Sequence, residues 1–381
     1  MDKFEEIRPY YDHEVESKLR ELASNKKVIN AFLHSRGYHN TFLNSFLGLF
    51  LSFYLNRRFK KIKSIHQYKN MYEKIMEKII KDTSSGFTYN GLENLQENTS
   101  YLFISNHRDI TLDPAFLNLA LHKNDFATVN IAVGSNLMDQ KWAADLMRLN
   151  KSFIIPRSGS SKREIYQSLN LVSEFIFNKV KVENESIWIA QREGRAKDGK
   201  DITDPAILKM IHLTKRKELA ISDFFNQMKV IPVSISYEFD PNDLNKAKEI
   251  YETEVNGFYE KKENEDLESI SRGISGFKGS VVLNIGSVMN FESDSYEIVA
   301  EQITNEISNQ FHNHPTNKHA LSILNKDLKL EDNEYFSERL KGEPDEVKSI
   351  LLNQYANSTN CLLYTSPSPR DSSPSRMPSS A

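Results

Sequence analysis

The chain has 381 residues, 39% of them hydrophobic and 27% charged, with a formal net charge of −3. That length holds one large core with helical additions, and the near-neutral balance excludes a uniformly basic nucleic-acid binder. A single cysteine, Cys361, rules out a disulfide framework or a thiolate metal set, which fits a reducing compartment.

The N-terminal stretch MDKFEEIRPYYDHEVE is charged and lacks the apolar core of a secretory leader. Residues 1–85 read as helical, with many Leu, Lys and Glu and few Gly or Pro. Inside them TFLNSFLGLFLSFYL (41–55) runs straight into NRRFKKIK (56–63). At about 1.5 Å per residue the apolar run spans roughly 22 Å, short of a bilayer core of ~30 Å. Two readings stay open: a buried core helix, or a helix lying on a membrane surface with Arg57, Arg58, Lys60 and Lys61 toward anionic lipid.

From residue 86 the pattern changes to short apolar runs. FTYNGLENL (87–95), SYLFISN (100–106), VNIAVG (129–134), SFIIPR (152–157), SIWIAQ (186–191), KVIPVSISYE (229–238) and SVVLNIG (280–286) read as strands. Helical segments lie between them. In 161–180, Ile165, Leu169, Val172 and Ile176 recur at helical spacing behind Ser160 and Ser161 as caps. Strands alternating with helices predict an α/β fold with a mixed, largely parallel sheet flanked by helices. Residues 291–356 return to polar helix, and no repeat is visible. The last stretch, 361–381, is rich in Ser and Pro and resembles translated adapter sequence, so it is kept out of the fold expectation.

Three strand ends carry chemistry. SNHRDITLDPAFL (105–117) places His107 just after an apolar strand, with Asp109 and Asp113 two and six residues on. A neutral imidazole can take a proton from a hydroxyl while a carboxylate holds its tautomer. In this reading Asp113 also caps the next helix, with Pro114 at its first position. An ordinary loop histidine beside a capped helix is the alternative. WIAQREGRAKDGKD (188–201) sets Arg192, Arg195, Lys197 and Lys200 around Gly194 and Gly199, a loop suited to a phosphate group but without the register of a Walker loop. A solvated charged turn is the plain alternative. KSFIIPRSGSSKRE (151–164) brings Arg157 out of a third strand, and VIPVSISYE (230–238) closes on Tyr237 and Glu238. In a parallel sheet such carboxyl ends converge on one edge.

These four segments, in this order, resemble the blocks of the glycerolipid acyltransferases, and most of all the bacterial branch acting on 1-acylglycerol-3-phosphate or glycerol-3-phosphate. NHRDITLD resembles the family's N-H-x4-D block, which implies His107 as general base and Asp113 or Asp109 as its partner; five residues separate His107 from Asp113 where the family has four. IIPR is similar to the second block and implies that Arg157 binds the acceptor phosphate; Lys151 stands where a glycine usually precedes it. REGRAKDGK looks like the third block, with Glu193, Gly194 and Arg195 matching and Lys197 as its next basic position. VIPVSISYE resembles the fourth, with Pro232 at its proline.

The resemblance implies a helical, membrane-associated region at 1–85, an acyltransferase domain at 86–290 and a helical region at 291–360. It implies acyl transfer from an acyl carrier protein or coenzyme A thioester to a glycerol phosphate or lysophosphatidate hydroxyl, with no metal or organic cofactor. The implied place of work is the cytoplasmic face of the membrane, as a peripheral or monotopic protein. A phosphatase using the same clamp would need a nucleophile or a carboxylate metal cluster. An acceptor without phosphate, and an inactive lipid-binding relative, are the other readings.

Overall fold

The computed structural model describes residues 3–35, 41–138, 140–157 and 161–360. The 361–381 tail and Ser160 lie outside the described residues. Each of the seven apolar runs is a strand: β1 Gly86–Asn90, β2 Leu102–Ser105, β3 Asn130–Gly134, β4 Ser152–Ile155, β5 Ile187–Ala190, β6 Val230–Tyr237 and β7 Ser280–Ile285. They form one sheet in the order β1-β7-β6-β2-β5-β3-β4. From β6 to β4 the neighbours are parallel, and β6 meets β7 antiparallel. The sheet is therefore mixed and largely parallel, as the alternation of strands and helices predicts.

The helices run in chain order through the sheet. α1 Asp12–Ser24, α2 Lys26–Ser35, α3 Thr41–Phe59 and α4 Ile65–Thr83 precede β1. α5 Leu112–Lys123, α6 Lys141–Leu149 and α7 Lys162–Lys181 make the crossovers among β2, β3, β4 and β5. α8 Pro205–His212 and α9 Ile221–Gln227 lead to β6, and α10 Asp243–Asn256 and α11 Glu265–Ser275 link β6 to β7. α12 Tyr296–Gln310, α13 Pro315–Leu324, α14 Glu334–Arg339 and α15 Asp345–Asn360 follow.

Period-two alternation sorts each strand between two cores. Leu102, Ile104, Ile187 and Ile189 face α7, α8, α9 and α12, while Phe103, Trp188, Ile231 and Val233 face α4 and α5. Each such side chain contributes about 1.5–3 kcal/mol through burial. Pro232 sits in this central ladder at no cost in hydrogen bonds to β2. Its carbonyl accepts from Gly286 N at 2.9 Å, so its ring nitrogen faces the same side, one step beyond Val233↔Ile285, the last β6–β7 pair. At the other edge, Ile154 N of β4 donates to Ile7 O, which covers an otherwise open strand.

Three sequence-based expectations need adjustment. Ser161 caps α7 by accepting from Glu164 N, and Val172 and Ile176 are buried, but Ile165 is 37% exposed. Of the two readings of the apolar run in α3, the described residues Leu49, Phe50, Phe53 and Tyr54 do not fit a buried helix, since all four are exposed. No described helix is long and apolar enough to cross a membrane. The third adjustment concerns the start of α5 and belongs to the site.

Candidate active site

The carboxyl ends of β2, β4, β5 and β6 lie at one edge of the sheet, and the loops singled out in the sequence leave from it. His107 follows β2 by two residues, with its side chain 14% exposed. Its Nδ1 is 2.8 Å from Oδ2 of buried Asp113. The same oxygen accepts from Arg108 N at 2.6 Å and Asp109 N at 3.0 Å, and Oδ1 accepts from the Tyr237 hydroxyl at 2.8 Å. With these donors turned to its oxygens, the carboxylate takes the acceptor role, which assigns the donor role to Nδ1 and turns Nε2 away from Asp113. The indole of Trp188 meets the imidazole edge-on at 5.8 Å between centroids, a second restraint on the ring.

Asp109 has a different task. Its Oδ1 accepts from Thr111 N at 2.9 Å and Leu112 N at 2.8 Å, which caps the opening of α5. The expectation that Asp113 caps the helix is therefore corrected: α5 opens at Leu112, and Asp113 and Pro114 are its second and third residues. The turn closed by Asp109 lets the longer His–Asp spacing fold back, so the carboxylate reaches the imidazole instead of the helix amides. Burial, then the nearby charge of Asp113, raises the Asp109 carboxyl above its ordinary value. Gly273 of α11 packs on it so closely that a Cβ there would meet Oδ2 at 2.1 Å.

The basic loops join the same edge. Ala196 N donates to His107 O at 2.8 Å, which ties the 191–201 loop to the histidine. Arg157 Nη1 pairs with Glu193 at 3.3 Å, so the ends of β4 and β5 meet through an exposed ion pair. The guanidinium of Arg157 lies across Gly134, where a Cβ would come within 2.3 Å of Nε. Arg195 Nη1 donates to Ser269 Oγ of α11 at 2.7 Å, and its charge also acts on the Asp109 and Asp240 carboxyls. Lys197 pairs with Glu249 of α10. Gly194 turns the loop at φ +74°.

The structure thus links His107, Asp113, Asp109, Arg157, Glu193, Gly194, Arg195 and Lys197 through adjoining loops, with His107 and Asp113 in direct contact. The strength of several supports was missed in the sequence. The Asn106 amide bridges β2 to β6, donating to Ile235 O at 3.0 Å and accepting from Ile235 N at 2.8 Å. Buried Lys246 of α10 donates to Arg108 O at 2.7 Å and pairs with Asp240. Arg108, which looks like one more surface cation in NHRD, is half-buried in an ion pair with buried Asp201, 2.5 Å away. An amide side chain directly after a fully buried strand was the available signal, and Asn106 carries it.

Residues 86–236 match the family model described as Acyltransferase. Among curated proteins none matches the chain. A solved structure, the 1-acyl-sn-glycerophosphate (LPA) acyltransferase PlsC from Thermotoga maritima, is similar at 16% identity with a TM-score of 0.36, covering 77% of this chain and 97% of that one. A likeness that distant carries no residue roles across. Over 86–236, then, the chain carries an acyltransferase domain, and acyl transfer is the activity that this match supports.

Proposed function

We propose that the enzyme moves a fatty acyl group from an acyl carrier protein or coenzyme A thioester to a hydroxyl of 1-acylglycerol-3-phosphate or glycerol-3-phosphate. The observation that carries this reading is the hydrogen bond from His107 Nδ1 to Asp113, in a loop tied to two arginine-bearing loops. The acceptor hydroxyl gives its proton to Nε2 as its oxygen attacks the thioester carbonyl carbon. The tetrahedral intermediate then collapses, the carbon–sulfur bond breaks, and the leaving thiolate takes the proton from the imidazolium. Asp113 stabilises that imidazolium without taking its proton. Arg157 and Arg195 grip the acceptor phosphate, with Glu193 and Ser269 holding them until it arrives. No step in this scheme calls on a metal or organic cofactor.

The exposed residues Leu49, Phe53 and Tyr54 of α3, beside exposed Arg57, Arg58, Lys60 and Lys61, support a peripheral seat on an anionic membrane, which we place at the cytoplasmic face. A screen of acceptors against both thioester classes tests the assignment. Phosphate-bearing acceptors should outpace their dephosphorylated counterparts, and Arg157→Ala and Arg195→Ala should erase that preference. Equal rates with a phosphate-free alcohol would move the enzyme to another acceptor class.

A further inference from the structure

The acyltransferase match ends at residue 236, and the next side chain reaches back into the catalytic loop. Tyr237 closes β6, is 9% exposed, and donates from its hydroxyl to Asp113 Oδ1 at 2.8 Å. It approaches the carboxylate on the oxygen that His107 does not use. Among the described residues, the other donors to Asp113 are all on Oδ2: the imidazole and two main-chain amides. Without the phenol, Oδ1 would be a buried, charged oxygen with no partner among the described residues, and the carboxyl plane could rotate about its χ2.

We infer that Tyr237 is a positioning residue for acyl transfer, fixing the plane of the Asp113 carboxylate so that His107 presents Nε2 to the acceptor hydroxyl. The inference rests on His107 being the base. Two further observations point the same way. The Asn106 amide locks β6 to the histidine loop on both its donor and acceptor sides, so the phenol hangs from a strand that cannot drift relative to Asp113. Burial, followed by the Asp113 charge, raises the Tyr237 hydroxyl well above its ordinary value, so it stays a proton donor throughout the working range. The ring itself packs among Phe116 and the core on that face, 6.1 Å between centroids, which Phe in its place preserves.

Tyr237→Phe removes one oxygen and keeps the packing. Loss of a hydrogen bond to a charged group should lower kcat roughly tenfold to hundredfold, with both KM values within about twofold of the parent. Adding Tyr237→Phe to Asp113→Asn should cost less than roughly threefold more, since the charge being oriented is already gone. Tyr101→Phe serves as the control: it also loses a buried hydroxyl, but one that accepts from Gln96 N before β2 starts, and its kcat should stay at the parent value. An unchanged kcat in Tyr237→Phe, a loss confined to KM, or full multiplication with Asp113→Asn would each overturn the inference. If His107→Ala still transfers acyl groups, the underlying reading fails instead; a silent Tyr237→Phe beside an inactive His107→Ala condemns the inference alone.

Discussion

An imidazole tethered through Nδ1 to a buried carboxylate has one free nitrogen and one orientation, and the neighbouring side chains at the sheet edge take their roles from it. Replacing Asp113 by Asn keeps the shape but removes the charge that stabilises the imidazolium. We expect kcat to fall by about 10²–10⁴ with little change in the acceptor KM; a parental kcat would remove Asp113 from the mechanism. In the proposed clamp the arginines act on the ground state, so Arg195→Ala should raise the acceptor KM by roughly tenfold or more while kcat moves less. Saturation curves for the acceptor separate the two, and an unchanged KM would refute the phosphate clamp. The histidine, the two acids and the arginines were readable because each follows an apolar strand. The division of labour between Asp109 and Asp113 was not readable, because both lie in one turn and only the path of the chain decides which one caps. Lys151 shows the same limit. It occupies a left-handed position, φ +60°, that a glycine would adopt without strain. Its side chain compensates by pairing with Glu185 at 2.7 Å and donating to Thr128 O at 3.2 Å, partners far away in sequence.

At the scale of elements, α15 supports the 191–201 loop. Gly199 has φ +77°, and a Cβ there would strike the Gln354 carbonyl of α15 at 2.0 Å. Around that contact Asn357 donates to Asp198 O at 2.8 Å, and Arg108 donates to Gly199 O at 3.3 Å and Ser358 Oγ at 3.2 Å. Gly199→Val should therefore push α15 off the loop. A penalty of about 2–4 kcal/mol, combining left-handed strain with the clash, would show in the denaturation midpoint, and the acceptor KM should rise with it. A midpoint equal to the parent's would mean that α15 is not seated there. Sequence patterning marked 291–356 only as polar helix, because the apolar face formed by Val347, Leu351 and Tyr355 is matched to α10, α13 and α14 instead of to the sheet. For α3, Leu49→Ser combined with Phe53→Ser should abolish co-sedimentation with anionic vesicles at low ionic strength and leave thermal stability in place, since both side chains are more than 70% exposed. Undiminished co-sedimentation would return membrane contact to some other surface.

Across the whole molecule, one sheet with two cores brings distant loops to a common edge, and the strands that do so were visible as seven apolar runs. Their order in the sheet was not, since it depends on crossovers that periodicity does not encode. The opposite end of the sheet has its own staple. Glu185 receives Asn130 Nδ2 at 2.8 Å and lies 2.7 Å from Lys151 Nζ and 3.5 Å from Lys179 Nζ, joining the starts of β3, β4 and β5. Burial would raise its carboxyl, but the Lys151 charge and these hydrogen bonds prevail and lower it from 4.5 to about 2. A depressed folded value means that its stabilisation is complete above about pH 4.5 and is lost as the pH falls toward about 2. Between those values the urea midpoint should fall more steeply for the parent than for Glu185→Gln; parallel profiles would show that the staple is idle.

Acyl transfer on vesicles is the most direct measurement of whether His107 is the base. A labelled acyl thioester and a lysophosphatidate acceptor are supplied to the intact protein and to a His107→Ala variant with the same thermal midpoint. Transfer by the first and its loss by at least about a hundredfold in the second is the predicted result. Undiminished transfer by the alanine variant would contradict it.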